Sequence, residues 1–129
     1  MVSDPGTTSK IIAVVQDLIF ATKIRSTAAS GGISLDLVRT ASDLSAALDR
    51  EPVCAVIVDL NLPGVEAVQA IVQAHAHPRQ PRIVAFGSHV DVPALNLASQ
   101  TGAHEVMPRS RFSIVLPDLL QQLAGNAPR

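Results

Sequence analysis

Two carboxylates, a hydroxyl and a guanidinium stand just beyond apolar runs of this chain: Asp17, Asp59, Ser88 and Arg109. Two carboxylates beside main-chain oxygens suit a hard divalent cation such as Mg²⁺, which keeps several of its waters. Such a cation could neutralise an incoming phosphoryl group and hold it in line with a carboxylate nucleophile. Asp59 is the nucleophile candidate because it stands alone at the end of its run, and Asp17 is then a metal ligand. Ser88 can hydrogen-bond a phosphoryl oxygen, and Arg109 can neutralise its charge. Each residue also has a plainer use. An Asp after a buried strand often caps the next turn or helix, which applies to Asp59 and Asp17 alike. Ser88 can be a turn residue. Arg109, near Arg111, can be solvated surface.

Their joint meaning depends on the elements that position them. Lys10 to Val15 (KIIAVV), Val53 to Val58 (VCAVIV) and Ile83 to Phe86 are continuous apolar runs, as expected of strands buried on both faces. Ile33 to Val38 (ISLDLV) alternates apolar and polar residues, which predicts a strand near a sheet edge. Val106 and Met107 predict a short last strand. Between these runs lie helical patterns. Leu18 to Ala29 carries Phe20, Ile24 and Ala28 on one face and ends at Gly31-Gly32. A short helix capped by Ser42 or Asp43 carries Leu44, Ala47 and Leu48. Val65 to His75 is expected to turn Val65, Val68, Ile71 and Val72 inward. Asp91 is the expected cap of the next helix, with Val92 and Pro93 in its first turn and Gly102 at its end. Phe112, Val115, Leu116, Leu119, Leu120 and Leu123 mark the last helix.

Five β-α units predict an α/β fold: a doubly wound, five-stranded parallel sheet with helices on both faces. The alternating second strand and the short fifth strand belong at the edges, which gives the order 2-1-3-4-5 of a flavodoxin-like sheet. Ligands of such sheets bind beyond the carboxyl ends of the strands, at the switch point between the first and third. The residues there are Gln16 and Asp17, then Asp59, then Gly87 and Ser88, then Pro108, Arg109 and Ser110.

With 129 residues, of which 47% are hydrophobic, the chain has the size and composition of one packed domain. Residues 1–9 are expected to be a disordered leader, 10–124 the domain and 125–129 a tail. Aromatic residues make up 2%, so the core must be aliphatic and stacking on single-stranded nucleic acid has little to work with. The net charge is −1 and the ten basic residues are scattered, which argues against a nucleic-acid partner. No run approaches the roughly 18 apolar residues of a membrane span. No secretory pattern opens the chain, so a cytoplasmic location is expected. The single cysteine, Cys54, is expected to be a small core residue. Histidines 75, 77, 89 and 104 show no metal-binding spacing and are expected at the surface. A glycine-rich turn after the first strand, which a nucleotide or flavin site would need, is missing at Val15-Gln16-Asp17-Leu18.

From Lys10 to about Ala124 the chain resembles the receiver domain of two-component response regulators. The stretch Val56 to Gly64 (VIVDLNLPG) is similar to that family's phosphoacceptor segment, and Gly102-Ala103 also resembles it. The resemblance implies that Asp59 accepts the phosphoryl group, and that Asp17, Asp59 and the main-chain carbonyl of Asn61 hold Mg²⁺. It implies a histidine kinase or phosphotransfer protein as donor, and no enzyme activity of its own. No effector segment follows the domain, so output is expected to pass through a partner protein. The chain also departs from the family. Gln16 stands where a second acid is usual, which makes it a weak ligand. Gly87 or Ser88 falls where the family has Thr or Ser. Counting from Gly102-Ala103 puts Arg109 in the place of the family's Lys, whereas matching proline to proline puts Met107 there. Val106 replaces an aromatic switch residue. The two readings are therefore a single-domain response regulator phosphorylated on Asp59, and a phosphorylation-independent pseudo-receiver that binds proteins.

Overall fold

The computed structural model describes residues 10–125, so the expected leader and all but the first residue of the expected tail lie outside the described residues. Five strands alternate with five helices: β1 (Lys10–Val14), α1 (Leu18–Ser30), β2 (Leu35–Val38), α2 (Ala41–Arg50), β3 (Val53–Asp59), α3 (Glu66–Ala76), β4 (Arg82–Gly87), α4 (Val92–Thr101), β5 (Glu105–Pro108) and α5 (Arg109–Leu123). The strands form one parallel sheet in the order β2-β1-β3-β4-β5.

Side-chain alternation along the central strands feeds two cores. Ile12, Val14, Val56, Val58, Ile83 and Ala85 point to the face covered by α2, α3 and α4, where Leu44, Leu48, Ala70, Ile71 and Ala98 meet them. Ile11, Ala13, Ala55, Ile57, Val84 and Phe86 point to the face covered by α1 and α5, against Ile24, Ala28, Phe112, Leu116 and Leu120. Both faces of β1, β3 and β4 are thus dry, which is why their sequences show no alternation. Full burial of a side chain such as Ile57 is worth roughly 1.5–3 kcal/mol.

Several local expectations are corrected. The second strand pairs only from Leu35; Ile33 is buried in the turn before it. The cap of α2 is Thr40, whose extended backbone lets its side-chain oxygen accept from the Asp43 N–H at 3.0 Å; Ser42 and Asp43 fall inside the helix. The inner face of α3 is Ala67, Ala70, Ile71 and Ala74, while Val65 and Val72 are exposed and Val68 is half-buried. Val65 precedes the helix, so counting from it set the face one position out of phase. The expected cap at Asp91 is present, its carboxylate accepting from Ala94 N–H at 3.2 Å, and Gly102 ends α4 at φ 134°. Cys54 is half-buried, with its thiol 3.3 Å from the Leu123 carbonyl. Burial pushes that thiol up from its ordinary value.

Candidate functional site

Asp59 ends β3, the central strand, and its neighbour in register on β4 is Phe86. It is 2% exposed and is the one buried charged residue among those described. Its Oδ1 accepts the Asn61 N–H at 2.9 Å and lies 3.3 Å from Nη2 of Arg109. Burial raises the Asp59 carboxyl above the usual carboxylate range. The Asn61 N–H and the Arg109 charge oppose that rise, and the charge of Asp17 adds to it.

Arg109 is the first residue of α5, and its side chain returns over the sheet edge to Asp59. The guanidinium carbon lies 5.2 Å from the centroid of Phe20 and 5.8 Å from that of Phe86. These distances are those of a cation held on aromatic faces. Of the two registers open in the sequence, counting from Gly102-Ala103 is the one that puts the cation at Asp59. Met107 is buried beside Phe86 in the core between the sheet and α5. Val106 is half-buried against the opposite core.

Three of the other candidate side chains, those of Asp17, Gln16 and Ser88, are engaged by the backbone. Asp17 is exposed and caps α1, its Oδ1 accepting from Ile19 N–H at 2.8 Å and Phe20 N–H at 3.3 Å. The side-chain amide of Gln16 donates to the Arg39 carbonyl at 2.9 Å, tying the β1 end to the β2–α2 loop. Ser88 is a turn residue: its hydroxyl accepts from Val90 N–H at 3.3 Å and its carbonyl from Asp91 N–H at 3.0 Å. Gly87 faces Leu60 so closely that a Cβ there would sit 3.0 Å from Leu60 Cβ and 3.2 Å from Cδ1. Asn61 meets Asp59 through its main-chain N–H. A cavity of about 410 Å³ opens beside Arg109, lined by Phe20, Ser88, His89, Arg109, Ser110 and Ser113, and Asp59 is not among its walls.

The oxygens expected to hold a divalent cation are engaged in part: Oδ2 of Asp17, Oδ2 of Asp59 and the Asn61 carbonyl take none of the described hydrogen bonds. One oxygen of Asp59 already faces a guanidinium and an N–H, Asp17 is committed to a helix terminus, and the Gln16 amide is bonded elsewhere. Among the described residues no group of three His, Cys, Asp or Glu is placed to hold a metal ion. Three features of the site escaped the sequence reading: the phenylalanine bed of Arg109, the packing of Leu60 on Gly87, and the anchoring of Gln16. Two contacts away from the site escaped it too. His104 is exposed, yet its Nδ1 accepts from Ile83 N–H at 2.9 Å and its own N–H donates to the Ile83 carbonyl. His77, expected at the surface, is half-buried, with Nε2 3.7 Å from Asp49.

No family model and no curated protein matches the chain. Solved structures do. The receiver domain of a sensor histidine kinase from Pseudomonas aeruginosa, with magnesium in its active-site cleft, is 19% identical with a TM-score of 0.77, covering 91% of this chain and 98% of that one. A response regulator receiver domain protein from Methanospirillum hungatei is 15% identical with a TM-score of 0.76, covering 92% and 95%. A response regulator from Thermotoga maritima is 15% identical with a TM-score of 0.75, covering 92% and 98%. The chain therefore has the receiver-domain fold, over nearly its whole length.

Proposed function

We propose that this chain is a receiver-fold module of two-component signalling that acts by binding a partner protein and does not carry a phosphoryl group. The observation that carries this reading is the burial of Asp59: it is 2% exposed, and its Oδ1 is hydrogen-bonded to Asn61 and ion-paired to Arg109. In-line attack would fall to Oδ2, the oxygen without these partners, on a carboxylate that is almost wholly buried. Leu60 fills the space where a side chain at position 87 would begin, so that position offers a phosphoryl group no hydroxyl.

A binding role has its own support. Leu18 and Ile19 at the start of α1, Val65 before α3 and Val90 before α4 are all exposed, and all come from segments that leave the carboxyl edge of the sheet. Large apolar side chains gathered at one edge suit a protein partner better than a small anion. That partner is a signalling protein: a histidine kinase, a phosphotransfer protein or an output protein. A cytoplasmic location belongs to this proposal. The described residues include no helix long and apolar enough to cross a membrane. The other reading, phosphoryl transfer to Asp59 with Mg²⁺, draws on the nearness of Asp17 to Asp59.

Intact mass after incubation with Mg²⁺ and a small acyl phosphate separates the two. The expected result is no phosphoryl adduct. A stoichiometric adduct that disappears in Asp59→Asn would overturn the proposal.

A further inference from the structure

We infer that the outer face of α3 pairs with the same face of a second copy of this chain, through a seam of Val65, Gln69, Val72 and Ala76. This pairing goes beyond the reading just given and does not depend on the state of Asp59.

The seam follows from spacing. These residues stand four, three and four apart, the repeat that keeps one line of a helix against a partner helix. All four are exposed, Val65 by 63% and Val72 by 47%. The opposite side of α3 is already taken, because Ala67, Ala70, Ile71 and Ala74 meet the sheet core. A surface helix ordinarily turns charge to solvent. This one turns out valine, glutamine and alanine, and its one acid, Glu66, is drawn aside to accept from the Ala41 N–H at 2.7 Å. The exposed apolar residues of α4 have no such order. Val92 and Leu97 are five apart and so leave the helix on different faces.

A second feature lies beside the seam. A groove of about 480 Å³ runs between α2 and α3, lined by Ser42, Ser45, Glu66 and the outer side chains from Val68 to Gln73. On its wall the Oε1 of Gln73 is buried and takes no hydrogen bond. A buried acceptor without a donor is uncommon in a completed structure, so this surface is unfinished in a single chain.

The chemistry selects a second copy as the occupant. Charge beside a helix seam is what sets partner choice, and here Ser42, Ser45, Val68 and Gln73 are all neutral. Identical uncharged faces meet without repulsion. The amides of Gln69 and Gln73 each hold donors and an acceptor, so they complement themselves across a two-fold axis. The net charge of −1 adds little opposition at longer range. Val65 to Ala76 spans only about 17 Å, so the pair buries less than roughly 1,200 Å² and the association is weak. It takes Val65 and leaves Leu18, Ile19 and Val90 free for a signalling partner.

Sedimentation velocity over roughly 5–500 µM tests this, since contacts of this size hold in the micromolar range or above. Interference optics suit a chain without Trp or Tyr. The wild type should pass from monomer to dimer across the series. Val72→Lys sets two like charges at the contact and should raise the dissociation constant about tenfold or more. Leu97→Lys, at a residue equally exposed on α4, should leave it unchanged. Circular dichroism checks that each variant folds. If Val72→Lys does not fold, Gln69→Glu brings two carboxylates together at an exposed position and decides in its place. A wild type monomeric at every concentration would overturn the inference. So would a dimer that survives the seam variants, or one that Leu97→Lys disrupts. Phosphoryl uptake at Asp59 and association through α3 are read separately, so either can fail without the other.

Discussion

Replacing Asp59 with Asn should stabilise the protein at neutral pH. Burying a carboxylate costs several kcal/mol after relaxation, and Asp59 is 2% exposed. A charge-assisted bond from the Asn61 N–H, 2.9 Å long, returns roughly 2 kcal/mol. The Arg109 guanidinium returns a further part, reduced by its own contact with solvent. The Asp59 carboxyl is nevertheless raised above its ordinary value, so the desolvation cost exceeds what its partners return. An amide keeps an oxygen for the Asn61 N–H and removes the charge, and Arg109, 26% exposed, keeps its contacts with Phe20 and Phe86. The expected gain is on the order of 1 kcal/mol, or about 3–5 °C in Tm for a domain of this size.

The pH dependence follows from linkage. With its carboxyl pKa raised on folding, native Asp59 binds a proton more tightly than the unfolded chain does. The wild type is therefore free of the penalty below the unfolded Asp value of about 3.9 and acquires it as pH rises through the higher folded value. The advantage of Asp59→Asn should be near zero in acid and complete at neutral pH. Urea unfolding followed by circular dichroism reads both, since the chain has no Trp or Tyr to report by fluorescence. A variant less stable than wild type at neutral pH would refute the reasoning, as would an advantage that grows on acidification.

Two further substitutions test the site's packing and the helix boundaries. Gly87→Ser restores a hydroxyl but places Cβ 3.0 Å from Leu60 Cβ, so it should cost about 1–3 kcal/mol by overpacking. Adding Leu60→Ala should relieve part of that cost, which a four-protein urea cycle would measure. Thr40→Ala should cost about 1 kcal/mol through loss of the α2 cap, whereas Ser42→Ala should change stability little. Equal losses in these two variants would show that the cap has been misplaced.

The sheet order was legible because burial is written into strand sequence: KIIAVV and VCAVIV are apolar throughout, while ISLDLV alternates. The phase of α3 was not, because alanines line its inner face and give a weaker signal than the exposed Val65 and Val72. At the site, the position of Asp59 at a strand end was legible for the same reason as the strand. The state of Asp59 was not. It depends on Phe20, Phe86 and Arg109, which lie far apart in sequence and meet only through parallel crossovers. Gln16 and Asp17 gave residue types that suit a metal, but sequence alone does not show which backbone groups will claim a side chain. The N–H groups at the start of α1 claim Asp17, and the Arg39 carbonyl claims the Gln16 amide.

Taken together, the departures from the receiver pattern form one physical solution. A metal-dependent pocket must stay open to solvent, which sets acids side by side and leaves room for a ligand. Here Gln16 ties two loops together, Leu60 packs on Gly87, and the three phenylalanines cluster, two of them beneath a guanidinium that faces the carboxylate. Each change would be costly alone. An arginine without its phenylalanine bed would be free to swing into water, and a buried Asp59 without the arginine would be an unpaired charge. A second acid at position 16 would add repulsion that no fixed cation is placed to relieve. At the same edge of the sheet Leu18, Ile19, Val65 and Val90 are exposed. If Asp59 takes no phosphoryl group, as proposed, that surface is suited to constant recognition. On this reading, regulation would come from the partner's abundance or state and not from chemistry at Asp59.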